Sequence, residues 1–230
     1  MTGKELKKYR ERADLTQESA AKLLGVSQTY LSLLESNKRP MPERLKQKLV
    51  RKLKLQPTEL PSEASQYKVS KVTDDQLTAD LSALGYLGFS HYKPSRLKNP
   101  ADVLLSALNA DKRDARLVEA LPWVVFAFPD MEWKSLVMTA KAHDLQNRLG
   151  FVTNVARRMA EKYGRQETAL KLETIEARLE NSKLEKEGTL CNETMTRAER
   201  NWLAHNSPPE AKHWHLLTDL SPRYLDHYAE

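Results

Sequence analysis

The chain has 230 residues, of which 30% are charged and 40% are hydrophobic, and its formal net charge is +6. Residues 1–61 carry 14 Lys and Arg against 7 Asp and Glu, whereas residues 62–230 carry 23 against 24. A basic excess confined to one segment is the electrostatic footprint of nucleic-acid binding, while the single cysteine excludes an internal disulfide. The longest apolar run, residues 121–128, is too short for a membrane span, and no secretory signal is expected, so we expect a cytoplasmic protein.

The first predicted helix covers residues 4–13. Leu6 and Tyr9 can face inward on it, whereas its basic side chains, Arg10 among them, are expected on the solvated face.

Two short helices follow within residues 15–38, LTQESAAKLLGVSQTYLSLLESNK. Thr16 and Ser27 are predicted N-caps, because their hydroxyls can accept the free N–H groups of a first helical turn. Gly25 lies between the two helices, where a left-handed residue is needed. Two helices joined by so short a glycine-containing turn form a helix-turn-helix.

The second of these helices has an apolar face and a polar face. Tyr30, Leu31 and Leu34 recur at helical spacing and are predicted to face the core. The opposite face carries short or amide side chains that can reach base edges, since Gln can bond adenine and the Thr methyl can touch a thymine methyl. Cations just after the helix suit phosphates, and the N-terminus of the preceding helix offers free N–H groups to a phosphate. The predicted DNA-binding residues are Gln17, Ser27, Gln28, Thr29, Ser32, Lys38 and Arg39.

Residues 5–60 resemble the Xre/Cro-type family of phage-repressor DNA-binding domains. The resemblance is carried by LTQE at 15–18, LGVSQ at 24–28, YLS at 30–32 and LE at 34–35. It implies a five-helix domain in which Gln17 bridges a phosphate and the recognition helix, while Gln28 and Thr29 read bases.

Leu23 and Leu33 depart from that family's pattern, which often has Arg or Lys at these positions. Two interpretations are open. Leu33 lies against sugar or a thymine methyl, or both leucines dock on the rest of the protein.

The first domain is predicted to close with a fourth helix and a short turn at residues 56–60. The fourth helix begins near Pro42, and its apolar stripe consists of Leu45, Leu49 and Leu53. Residues 61–66, PSEASQ, lack apolar periodicity and are predicted to be a linker. We therefore expect a helix-turn-helix domain at 1–61, a linker and connecting helix at 62–98, and a helical partner-binding and dimerisation domain at 99–230.

The connecting helix is expected to be capped by Asp74 or Asp75 and to end at Gly85. Asn99 and Pro100 predict the start of the next helix, since Asn is a favoured N-cap and Pro suits the first helical position. Further helices are predicted at 113–121 and at 144–163. Another is predicted to begin after Asp130, which is expected to be its N-cap.

Residues 122–129 have the composition of a buried strand. No partner strand is visible nearby, so a buried helix is preferred there, and the predicted fold class is all-α throughout. The segment 166–187 is rich in charge and has a narrow apolar stripe. Such a stripe suits either a partner helix or dimer mate, or packing against the helix's own domain.

Catalytic motifs are lacking in the sequence. It contains no glycine-rich phosphate loop, no nucleophile elbow and no cysteine pair for zinc. His213 and His215 lie two residues apart without carboxylates at ligand spacing, and Cys191 is expected in a loop. We therefore expect a protein that is not an enzyme and that needs no cofactor or metal.

A second resemblance covers roughly residues 99–160. The runs NPADVLL at 99–105, RLVEALPW at 116–123 and AHDLQNRLGF at 142–151 look like bacterial proteins encoded beside nucleotidyltransferase-like toxins of the abortive-infection type. The resemblance implies an antitoxin that binds and neutralises its cognate toxin and represses the shared promoter.

Palindromic operators are the usual targets of this motif class, so a homodimer is expected. Aromatic anchors are frequent at interfaces, and the predicted toxin contacts are Trp202, Trp214 and Tyr224. The main alternative is a stand-alone repressor that senses a small ligand through its helical domain. An enzyme targeted to DNA is a third possibility, which would require catalytic groups.

Overall fold

The computed structural model describes residues 1–221, apart from the side chain of Ser65. The chain forms two compact units, called unit 1 (Met1–Pro61) and unit 2 (from Ser62 onward) below. Both are built almost wholly of helices, which confirms the predicted all-α class. None of the helices described is both long enough and apolar enough to cross a membrane.

Unit 1 contains four helices and a short 3-10 turn. They are α1 (Gly3–Arg12), α2 (Gln17–Leu24), α3 (Gln28–Glu35), α4 (Glu43–Lys52) and the turn Pro57–Glu59. Both predicted caps are confirmed, because the Thr16 hydroxyl accepts the Ser19 N–H (3.1 Å) and the Ser27 hydroxyl accepts the Tyr30 N–H (3.2 Å). The apolar faces of the four helices meet in one core, which contains Leu6, Ala20, Ala21, Leu24, Leu31, Leu34, Leu45 and Leu49.

Unit 2 is organised around one central helix. Its helices are α5 (Asp74–Leu84), α6 (Pro100–Leu108), α7 (Ala115–Glu119), α8 (Leu121–Ala127), α9 (Trp133–Ala142), α10 (Gln146–Lys162), α11 (Gln166–Glu180), α12 (Arg197–Asn206) and α13 (Pro209–His213). The strands β1 (Gly188–Thr189) and β2 (Leu216–Leu217) form a two-residue parallel pair. Helices α8, α9, α11 and α13 all pack on α10, which is buried over most of its surface.

Residues 62–98, predicted as a linker and connecting helix, pack into unit 2. The Asp102 carboxylate accepts a hydrogen bond from the Ser62 hydroxyl (2.6 Å), and the Thr139 hydroxyl donates to the Ala64 carbonyl (2.8 Å). These contacts fasten the start of the segment to α6 and α9. Further along, its apolar residues join the main core of the unit, which includes Leu77, Leu81, Leu84, Tyr86 and Phe89.

Two predicted helix caps are wrong. Helix α5 is capped by the Thr73 hydroxyl, which accepts the Gln76 N–H (3.2 Å), rather than by either following aspartate. Helix α9 is capped by Glu132, whereas Asp130 pairs with Lys171. In both places several adjacent side chains could cap, and the choice follows from where the chain enters the helix.

The segment 122–129 contains a helix, as preferred from the sequence. Helix α8 covers Leu121–Ala127 with Pro122 in its first turn, where proline needs no N–H partner. Val124, Val125 and Phe126 are all buried. Neighbouring helices cover the segment, since α6, α7 and α10 all pack against α8.

Helix α11 packs against its own unit. Its narrow apolar stripe is buried on α10 and consists of Ala169, Leu172, Ile175 and Leu179. The helix ends at Glu180, and the Asn147 amide then exchanges two hydrogen bonds with the backbone of Leu184 (2.9 and 2.8 Å). Of the two interpretations of this segment, packing within its own domain is therefore confirmed.

Candidate nucleic-acid interface

The turn between α2 and α3 is fixed from two sides. Gly25 has a φ of +68°, the left-handed conformation that the sequence predicts. The Val26 N–H donates to the Ala21 carbonyl (2.9 Å), and the Lys48 ammonium of α4 donates to the Leu24 carbonyl (2.8 Å). The cation therefore satisfies the carbonyl end of α2, where positive charge also suits the helix dipole.

A buried ion pair joins α1 to α3. The Arg10 Nε and Nη2 donate to the two carboxylate oxygens of Glu35 at 2.6 and 3.1 Å, and Arg10 Nη1 donates to the Leu15 carbonyl (2.9 Å). Burial alone would raise the pKa of Glu35, but hydrogen bonds from Arg10 and Gln17 outweigh it and hold that pKa below its ordinary value. The bidentate geometry fixes the direction of α3 relative to α1.

Arg10 is buried, so the prediction that it lies on the solvated face of α1 is wrong. One signal could have revealed it. Arg10 follows Leu6 by four residues and Tyr9 by one, so it falls on the inward stripe of α1.

Gln17 contacts the recognition helix through the same network. Its side-chain amide donates to Glu35 Oε2 (2.9 Å). An amide nitrogen carries two hydrogens, so one remains for a phosphate oxygen. The contact of Gln17 with α3 is thus present. Its contact with a phosphate stays a prediction.

The outer face of α3 is polar and uncharged. Gln28, Thr29 and Ser32 are exposed, while Leu31 and Leu34 on the inner face are 0% and 1% exposed. The split follows from the helical period, since the inner residues recur at a spacing of three. The outer face therefore presents amide, hydroxyl and methyl groups, which are the groups that read base edges.

Ser27 has a structural role at the start of α3. Its hydroxyl oxygen accepts the Tyr30 N–H, which leaves the hydroxyl hydrogen available for a phosphate or base.

The end of α3 is tied to the start of α1. Asn37 is left-handed (φ +56°), and its side-chain oxygen accepts the Gly3 N–H (2.7 Å). A Cβ on Gly3 would lie 2.1 Å from the Leu34 carbonyl oxygen, so the two helix ends approach as closely as glycine permits. Lys38 and Arg39 follow, both exposed, at the exit of the recognition helix.

Leu23 and Leu33 are partly buried. Among the residues described, neither is one of the partly buried apolar side chains that pack against the unit 1 core, a group that includes Leu15, Val26 and Tyr30. The two leucines are therefore apolar side chains whose position the core does not explain.

The three aromatic residues predicted at a toxin contact have different positions. Trp202 lies on α12 and is 57% exposed. Trp214 is 0% exposed and packs on Gly150 of α10. It is therefore a core residue, and its predicted place at a partner surface is wrong. Tyr224 lies outside the described residues.

The histidines and the cysteine of unit 2 have structural contacts. His213 Nε2 lies 2.7 Å from a Glu180 carboxylate oxygen, and His215 Nδ1 lies 2.9 Å from the Leu184 carbonyl oxygen. Cys191 is buried, and burial raises the pKa of its thiol to about 11, which disfavours the thiolate needed for nucleophilic chemistry. Residues 1–221 contain no cluster of three or more His, Cys, Asp or Glu that could hold a metal ion.

Comparison with known proteins identifies the first unit. A family model described as helix-turn-helix matches residues 6–60. Unit 1 is accordingly an Xre-type helix-turn-helix domain, the DNA-binding part of a regulator, as the residues of α2 and α3 predict. No curated protein and no solved structure matches the chain.

Proposed function

We propose that the protein represses transcription by binding a palindromic operator as a homodimer, with α3 in the major groove. The observation that carries the proposal is the exposed, uncharged face of Gln28, Thr29 and Ser32 on a helix held in place by a buried ion pair. The basic excess of residues 1–61 supplies the attraction to phosphates. In this role the protein acts on DNA in the cytoplasm and requires no cofactor.

Selection from a random DNA pool with the full chain tests this proposal. We expect one enriched sequence whose two half-sites are related by a two-fold axis and lie about one helical turn apart. Light scattering should find two chains on each operator. Recovery of no preferred sequence would refute operator binding, and an asymmetric site bound by one chain would refute the homodimer.

We further propose that unit 2 binds and neutralises a cognate nucleotidyltransferase-like toxin. The resemblance of residues 99–160 supports this role, although most of those side chains are buried in α6–α10 and relate to the fold rather than to a contact surface. On the surface, Trp202 is a large apolar side chain on a helix of which only Leu203 is buried. Exposed tryptophans of this kind are frequent anchors at interfaces.

Co-expression with the product of the neighbouring gene tests the toxin contact. We expect the full chain to restore growth and to co-purify with that product, and Trp202→Ala to weaken both effects. Leu170→Ala is the matched control, since Leu170 is 64% exposed on the separate helix α11. If the wild-type chain neither co-purifies nor restores growth, the antitoxin role fails. A small molecule that shifts operator affinity without any protein partner would then favour the ligand-sensing repressor.

A further inference from the structure

Leu33 occupies an unusual position for a leucine. It lies four residues after Thr29 on α3, so the two side chains are neighbours on one helical stripe. Thr29 is exposed and Leu33 partly buried, and in the part of the chain described Leu33 is not one of the side chains that pack on the unit 1 core. Core packing therefore does not explain an apolar residue here.

Within α3, no charged side chain shares the outer face with Leu33. Glu35, the acidic residue of α3, is buried and paired with Arg10, so its charge is neutralised inside unit 1. Lys38 and Arg39 come only after the helix has ended, and their backbone N–H groups both donate to the Leu33 carbonyl (2.9 and 3.2 Å). The outer face of α3 thus combines the exposed amide of Gln28 and the exposed methyl group of Thr29 with the partly buried side chain of Leu33.

Thymine is the base that an aliphatic side chain can recognise in the major groove, because it alone of the four bases carries a methyl group there. A leucine has no donor for a phosphate oxygen, so this position cannot provide a backbone contact of the usual kind. We infer that Leu33, together with Thr29, is a specificity-determining residue that packs against thymine methyl groups in each half-site. The inference rests on the proposed operator binding and names what one part of the recognition helix reads.

Replacement of single thymines by uracil in the selected operator tests the inference, since uracil lacks only the methyl group. Burial of one methyl predicts that the wild-type full chain loses about fourfold in affinity at one thymine position of a half-site, measured by fluorescence anisotropy. Leu33→Ala should bind the thymine operator more weakly and show no further loss with uracil at that position. Leu33→Met should restore the dependence on the methyl group.

Leu23→Ala is the matched control, because Leu23 is also partly buried and outside the core but lies on α2. We expect this variant to keep the wild-type response to uracil. The inference is overturned if no thymine position responds to uracil, or if Leu33→Ala keeps the full wild-type response. These outcomes leave operator binding intact, whereas the absence of any selected operator would overturn the proposed function and this inference together.

Discussion

At the level of single residues, unit 1 separates the side chains that we propose read DNA from the side chains that orient α3. Gln28, Thr29 and Ser32 lie on the surface of α3, whereas Arg10 and Glu35 are buried beneath it. A buried ion pair adds little net stability compared with apolar residues, but the loss of one partner leaves an uncompensated charge. The ion pair instead orients α3 relative to α1, because two charge-assisted hydrogen bonds fix one geometry.

Gln28 and Lys38 should differ in the kind of DNA affinity they provide. Gln28→Ala should cost on the order of 1–3 kcal/mol on the selected operator and little on random DNA, because it removes a base contact. Lys38→Ala should weaken binding to all sequences and reduce the salt dependence by about one phosphate contact. Titrations at several salt concentrations separate the two effects. Equal losses on operator and random DNA for Gln28→Ala would mean that α3 is oriented differently.

Glu35 should make the stability of unit 1 depend on pH. Its pKa is lower in the folded state than the ordinary value of 4.5, so its contribution is complete above about pH 4.5 and disappears as the pH falls through the folded-state pKa. Glu35→Gln should remove this dependence and destabilise unit 1 by about 3 kcal/mol at pH 7, because Arg10 stays buried without its counter-charge.

The four tryptophans, Trp123, Trp133, Trp202 and Trp214, all lie in unit 2, so unit 1 contains no tryptophan as a fluorescence probe. Hydrogen exchange in α3 peptides is therefore the suitable measurement for Glu35→Gln. Tryptophan fluorescence of the same variant is an internal control that should stay unchanged. A wild-type protein whose α3 protection is the same at pH 3 and pH 7 would contradict the prediction.

At the scale of the element, α10 depends on the close approach of one aromatic ring. A Cβ on Gly150 would lie 2.3–2.6 Å from three ring atoms of Trp214, which is far inside van der Waals contact. Gly150 therefore permits α13 to pack on the middle of α10. This contact explains why Trp214 is a core residue and Trp202 is not.

Gly150→Ala should destabilise unit 2 by roughly 1–3 kcal/mol, although alanine is the better helix former, because the ring must move in a packed core. Chemical unfolding followed by tryptophan fluorescence measures the effect. Gly85→Ala is a control of a different kind, since a Cβ there meets nothing within 4 Å and the cost arises from a φ of +98°. A Gly150→Ala protein as stable as the wild type would show that Trp214 can shift freely.

At the scale of the whole molecule, the two units differ in charge and in their proposed functions. Unit 1 holds the basic excess and the recognition helix, while the balanced charge of residues 62–230 gives them no general attraction to DNA. Helix α11, a candidate for the dimer contact, uses its apolar stripe within unit 2. That stripe is therefore not available to the homodimer that we propose.

Removal of residues 62–230 should separate half-site recognition from dimerisation. We expect residues 1–61 alone to select the same half-site but to lose the preference for a palindrome with fixed spacing. Affinity for the full operator should fall by at least tenfold, since the second half-site no longer binds as part of one complex. Selection with both proteins in parallel measures this. A shortened chain that still binds as a dimer would place the dimer contact in unit 1.

The helix-turn-helix could be predicted from local sequence alone. The caps at Thr16 and Ser27 are hydrogen bonds to residues three positions away, and the left-handed Gly25 is a property of one residue, so local pattern is sufficient. The faces of α3 follow equally from the helical period. The all-α class could be predicted because the sequence shows no partner strand for the apolar segment 122–129. Among the described residues, the strands pair over only two residues.

Which polar and aromatic side chains are buried depends on packing between distant parts of the chain. Arg10 meets Glu35 across 25 positions of the chain, and Trp214 meets Gly150 across an even longer separation. No local pattern contains such pairs, because burial depends on which elements pack together and on the space between them. For the same reason the apolar stripe of α11 is compatible, from the sequence alone, with a partner chain or with its own domain. In the structure α10 covers it. Period and capping thus specify helices and their faces, while packing over long chain separations assigns each face its neighbour.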